Sequence, residues 1–171
     1  ETTRARGRRG YAVTLAEATT ETGGRLNLES TLPGLSEWRR VRDYRLGQIE
    51  KMSNVEVYLH SRLSPAQIID FEFDHVCVAT GSHWRLDGVG RSRARAFTGC
   101  DLDGVVSPDS IMKGIPVRGP VVVYDDDNFY LGGLIAEQLN HLGHEVSLVV
   151  THGVVSSATE VTLEQSRIQA R

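Results

Sequence analysis

Four groups of residues in this sequence are of types that bind ligands. Glu17 stands at the end of the apolar run Tyr11 to Ala16, which follows Gly10. In a dinucleotide fold, an acid in that place accepts hydrogen bonds from the hydroxyls of an adenosine ribose. Such an acid lies about 20 residues after a glycine-rich phosphate loop. The loop and the strand before it are therefore expected to precede residue 1. A solvated glutamate at a strand end would occupy the same position, and position alone does not separate the two. Gly23-Gly24-Arg25 is the second group. A glycine pair lets backbone approach a bulky ligand, and arginine pairs with phosphate or with a flavin-like carbonyl; an ordinary turn with a surface arginine reads the same way. The third is Ala79-Thr80-Gly81, small residues closing a short apolar strand and bringing a sheet edge near a ligand.

The fourth group is Asp125-Asp126-Asp127, between the apolar run Val121 to Tyr124 and Gly132-Gly133. The surrounding strand, helix and strand have the proportions of a nicotinamide-nucleotide unit, but three carboxylates stand where glycines would offer amides to a pyrophosphate. They would repel such a ligand. The next strand ends in Val150-Thr151, so the ribose acid is missing as well. A divalent cation on the three aspartates is the competing idea, disfavoured because neighbouring residues at a strand end point in different directions.

Elements must hold these groups in place. A helix over Thr3 to Arg9 leads through Gly10 to a buried strand. Pro33-Gly34 turns into a helix from about Glu37 to Met52. Asn54 to His60 alternates as a strand, Ser64-Pro65 opens a short helical turn through Ile69, and His75 to Ala79 reads as a strand. Gly88 to Arg118 is connection with a short helix near Asp109 to Lys113. Val121 to Tyr124, a helix capped by Gly143, and Val146 to Val150 close the pattern. Strands alternating with helices predict parallel sheets covered by helices.

Composition narrows the classes. With 40% hydrophobic and 24% charged residues and a net charge of −3, the chain reads as an ordinary globular protein with no nucleic-acid partner. No apolar run reaches a membrane span, and ETTRARGRRG is not a secretory signal. Cys77 and Cys100 lack a CxxC partner, which sets aside a thiol–disulfide reductase and makes a reducing cytoplasm the default. The histidines show no metal-ligand spacing. No nucleophile–base set is evident, so no catalytic residue is expected here. Tyr44, among Arg42, Asp43 and Arg45, reads as a snorkelling surface tyrosine, with a partner-docking aromatic as the alternative.

Taken together, GYAVTLAEA, GGRLNLESTLPGLSEW, RDYR, VCVATGSHWRLDG and VVVYDDDNFYLGGLIAEQLNHLGHEVSLV resemble the trimethylamine/dimethylamine dehydrogenase family, to which the histamine dehydrogenases belong. The resemblance covers nearly the whole chain, with the motifs in order. It implies an N-terminal barrel, absent here, that carries a covalent flavin mononucleotide (FMN) and a four-iron (4Fe-4S) cluster and oxidises the amine. Two Rossmann-like lobes follow, the first holding ADP where related reductases hold FAD. Electrons leave through the cluster to an electron-transfer flavoprotein. By the same resemblance Glu17 holds the ADP ribose, Ala18 beside it is a further cofactor-binding residue, Gly24, Arg25 and Leu26 line the pocket, and Leu63 offers backbone to the adenine. Ala79, Thr80 and Gly81 border the phosphates or the adjacent cavity, Trp84 closes the pocket, and Tyr44 faces the electron acceptor. The full-length protein is expected to be a cytoplasmic homodimer.

The resulting expectation is an α/β, Rossmann-like three-layer nucleotide-binding fold in two lobes, truncated at both ends. Residues 1–115 form a partial ADP/FAD-type lobe, and 116–171 a partial NAD(P)-type lobe with a degenerate phosphate loop. The fragment alone is expected to be inactive. Two alternatives remain: a fragment of an NADPH-dependent FMN/FAD reductase of the dienoyl-CoA reductase type, which the acidic loop disfavours, and a non-catalytic nucleotide-binding or docking module.

Overall fold

A computed structural model describes residues 1–170. The chain is mixed α/β and divides into two compact units, 1–30 with 35–82, and 31–34 with 83–171. This division falls between Ser82 and His83, whereas the lobes read from the motifs meet at 115/116.

In the first unit, α1 (Thr2–Arg8) leads into β1 (Val13–Ala16). Gly7 is buried because a Cβ there would lie 2.6 Å from Val55 Cγ2 and 2.7 Å from the Met52 sulfur. Its missing side chain lets α1 close on the next strand. A short helix, α2 (Arg25–Glu29), follows the glycine pair. The predicted helix over 37–52 is a 3-10 turn at Ser36–Trp38 continued by α3 (Arg39–Ile49), which buries Ile49. β2 (Val55–Tyr58) pairs parallel with β1, Val13 opposite Val55 and Ala16 opposite Tyr58. α4 (Pro65–Asp70) starts on a complete capping box: Ser64 Oγ accepts from the Gln67 amide, and Gln67 Oε1 accepts from the Ser64 amide.

The predicted strand His75 to Ala79 does not form. A strand exists only where its amides and carbonyls find a ladder, and residues 73–80 make no backbone hydrogen bond among the described residues. Val76 and Val78 are 54% and 76% exposed. The apolar pattern is strand-like, but these residues have no neighbour to pair with.

The second unit contains α5 (Pro108–Met112), β3 (Val121–Asp125), α6 (Leu131–His141), β4 (Val146–Val150) and α7 (Gln165–Gln169). β3 and β4 are parallel, with Val121 opposite Val146 and Asp125 opposite Val150. The crossover helix α6 places Ile135 and Leu139, four apart, in the core. Each sheet has two strands. Among the described residues the buried apolar side chains are few: Ile49 in the first unit, and Leu32, Ile135 and Leu139 in the second. No helix is long and apolar enough to cross a membrane among the described residues.

Candidate functional site

The carboxyl ends of β1 and β2 carry the first candidate. Backbone pairing continues past both strands: the Glu17 amide donates to Tyr58 O (2.8 Å), the Ser61 amide to Glu17 O (2.8 Å) and the His60 amide to Thr19 O (3.0 Å). The loop entering at Glu17 and the loop leading to Leu63 are thereby held side by side. Glu17 Oε1 accepts from the Thr19 amide at 2.9 Å and lies 2.8 Å from the Thr19 hydroxyl. This local turn fixes the carboxylate, while Oε2 has no hydrogen-bond partner among the described residues. A half-buried carboxylate with one oxygen anchored and one open can accept from a vicinal diol.

The glycine pair serves two ends. Gly23 has φ 122°, and a Cβ there would sit 2.6 Å from Arg42 Cδ as well as against the Asn27 side chain. Its freedom is spent on protein packing. Gly24 has φ 52°, caps α2 and has open space where a Cβ would be. Arg42 is the organiser that sequence reasoning missed. Its guanidinium contacts Asn27 Oδ1 (2.7 Å), Glu21 Oε2 (3.1 Å) and Asp43 Oδ1 (2.8 Å), tying the 21–27 loop to α3. The signal available was the RDYR run; nothing in it says which loop the arginine reaches.

Arg25 bridges two of the expected groups. Its Nη2 donates to Ser82 O at 3.0 Å and its Nη1 lies 3.6 Å from Glu29 Oε1, so the segment containing Ala79, Thr80 and Gly81 is tethered to α2. Gly81 has φ 79° and open space around it. Ala18, Ala79 and Thr80 are exposed; Leu26 and Leu63 are half-buried. Trp84 belongs to the second unit, where its amide donates to Asp109 Oδ2 at 3.1 Å. Tyr44 is 63% exposed on α3.

In the second unit the three aspartates diverge. Asp125 is buried. Its Oδ1 accepts from the Asp127 and Asn128 amides (3.0 and 2.9 Å), while Oδ2 has no partner. Burial pushes this carboxyl above the ordinary range against the pull of those two amides. Gly132 makes room for it: a Cβ there would lie 2.6 Å from Asp125 Cβ. Asp126 instead accepts the Ser92 amide on both oxygens (3.0 and 3.1 Å), and Gly90 allows that approach. Arg91 Nη1 donates to Asp127 O at 3.3 Å. The residues 90–92 therefore strap the loop where a phosphate would sit in a nucleotide-binding βαβ unit. No grouping of three or more His, Cys, Asp or Glu side chains able to hold a metal occurs among the described residues.

The class defined by these features is a mixed α/β chain with two small parallel sheets. No family model matches the chain. It is 32% identical over 169 residues to dimethylamine dehydrogenase of Hyphomicrobium sp. (strain x), covering 94% of this chain and 23% of that protein. Among solved structures, histamine dehydrogenase from Rhizobium sp. 4-9 superposes with TM-score 0.90 at 47% identity, covering 99% of this chain and 26% of that one. The 6-hydroxypseudooxynicotine amine oxidase from Pseudomonas geniculata N1 gives 0.91 at 45% identity, covering 97% and 25%. The chain belongs to the trimethylamine/dimethylamine dehydrogenase family and spans about a quarter of the length of these relatives.

Proposed function

We propose that this chain is the nucleotide-binding part of an iron–sulfur flavoprotein amine dehydrogenase, an oxidoreductase that demethylates or deaminates a small amine. Its first lobe, 1–115, holds ADP, and its second, 116–171, keeps a nucleotide-binding shape without the ligand. The observation that carries this reading is Glu17: one carboxylate oxygen is fixed by Thr19 and the other is open, at the end of a parallel strand beside the loop to Leu63. Glu17 Oε2 would accept the ribose hydroxyls. Ala18, Gly24, Arg25, Leu26 and Leu63 would line the pocket, with Ala79, Thr80 and Gly81 bordering the phosphates or the adjacent cavity. ADP supplies no redox chemistry; these residues bind and orient it.

Amine oxidation, on a covalent flavin beside a four-iron cluster, is assigned to a barrel outside these 171 residues, in keeping with relatives four times as long. An electron-transfer flavoprotein would dock near Tyr44, and the whole protein would be a cytoplasmic homodimer. A Rossmann-like three-layer fold is supported by the sheet faces: Val122, Tyr124 and Val149, on one face of the β3–β4 pair, are 67%, 43% and 45% exposed, a surface suited to a further layer. The engagement of Asp126 with Ser92 supports a second lobe that does not take NADPH, and so disfavours the reductase alternative.

The test is to denature the full-length protein carrying this chain and identify the released nucleotide by mass spectrometry. ADP is expected. FAD would move the assignment to the reductase type, and no nucleotide would leave a docking module.

A further inference from the structure

A second cleft, about 360 Å³ in volume, opens in the second unit beyond the carboxyl ends of β3 and β4. Arg91, Ser92, Asn128, His152, Ser157 and Glu160 supply its polar lining. The Glu17 edge belongs to the first unit, and the proposed function places no ligand in this cleft of the second.

Asn128 makes it more than a surface dimple. Its side chain is 3% exposed, and its backbone is held at φ 58°. The Nδ2 group donates to Thr151 Oγ1 (2.8 Å) and to Asp126 O (3.2 Å), while Asn128 O accepts from the Ala158 amide (2.9 Å). A backbone carbonyl only accepts, so the Asp126 contact fixes the orientation of the amide. The oxygen, Oδ1, is then the atom without a partner. The neighbouring Ser156 hydroxyl is also fully buried and unpaired, in a left-handed backbone conformation. Native proteins seldom strand such groups unless something satisfies them.

The charges select the ligand. The Arg91 guanidinium, aimed by Asp127 O, and the His152 imidazole, 3.1 Å from Thr151 Oγ1, supply donors. Glu160 supplies a carboxylate. A simple anion would meet Glu160 and the nearby Asp126 and Asp127; a simple cation would meet Arg91. We propose that this cleft binds a small zwitterion of the α-amino-acid class, its carboxylate toward Arg91 and His152 and its ammonium toward Glu160, against a wall that the buried Asn128 holds in place.

The full chain is titrated with L-alanine, acetate, methylammonium and AMP, followed by ligand-saturation NMR and by the Ala158 and Ser157 amide shifts. L-Alanine is expected to bind and to shift those amides, with the other three probes at least tenfold weaker. Arg91→Gln and Glu160→Gln should each weaken alanine at least fivefold, while Glu50→Gln, in the other unit, leaves it unchanged. Far-UV circular dichroism checks that each variant folds, and Arg91→Lys gives a second, charge-conserving probe of that side, expected to retain part of the affinity. Acetate or AMP binding as tightly as alanine, variants binding like the parent, or no binding of alanine would overturn the proposal.

Discussion

Adjacent glycines at the start of α6 offer a sharp test of why glycine stands there. In a helix, Gly→Ala ordinarily adds about 0.5–1 kcal/mol of stability. At Gly133 the nearest atom to a new Cβ is Ser156 Oγ at 3.9 Å, ordinary contact, so Gly133→Ala should gain up to that amount. At Gly132 the same methyl would meet the buried Asp125 carboxylate, 2.6 Å from its Cβ. Overpacking costs about 1–3 kcal/mol, and displacing Asp125 loses two amide hydrogen bonds of about 1 kcal/mol each. Set against the helical gain, Gly132→Ala should lose about 2–4 kcal/mol net. Urea unfolding followed by circular dichroism reads both. With a slope of about 2 kcal/mol per molar urea, the midpoint should fall by about 1–2 M for Gly132→Ala and rise slightly for Gly133→Ala. Equal shifts of the same sign would refute the reasoning.

Two further expectations rest on named side chains. Asp125 has its carboxyl raised above 3.8 by burial, so the folded state holds its proton more tightly than the unfolded state. The stability this adds is complete below that ordinary value and is lost as pH rises through the raised one. Asp125→Asn, which keeps an acceptor for the Asp127 and Asn128 amides, should therefore flatten the decline in unfolding midpoint with rising pH above about 3.8, and an unchanged profile would contradict the assignment. Arg42→Ala should loosen the 21–27 loop and cost about 1–2 kcal/mol through its half-buried contacts, with faster amide exchange at Leu26 and Asn27; protection equal to the parent's would remove Arg42 from the loop's support.

What could be read from the residues, and what could not, follows from the range of the interactions. β1, β2, β3, β4 and the capped turn at Ser64 are written in short apolar alternations and in local hydrogen-bonding types, so they were legible. The run His75 to Ala79 carries the same alternation and fails, because pairing is a property of two segments and the pattern describes only one. The ligand-type edge shows the same limit at atomic scale. Glu17 was legible from its place after a strand, but the division of its oxygens between Thr19 and an open side was not.

Glycine was the most misleading letter. The Gly23-Gly24 pair reads as backbone bared for a ligand, yet Gly23 makes room for the Arg42 and Asn27 side chains, and Gly132 likewise makes room for Asp125. The Asp125–Asp127 run shows why one chemistry can replace another at such a site. A pyrophosphate at the end of β3 would need backbone amides directed at it. Here the Asp127 and Asn128 amides are taken by Asp125, and the Ser92 amide by Asp126. The carboxylates have become internal acceptors for donors of the kind a phosphate would use. Replacing Asp126 by glycine would then release the Ser92 amide, and replacing Asp125 would release those of Asp127 and Asn128, so each carboxylate removed frees donors that the fold now uses internally.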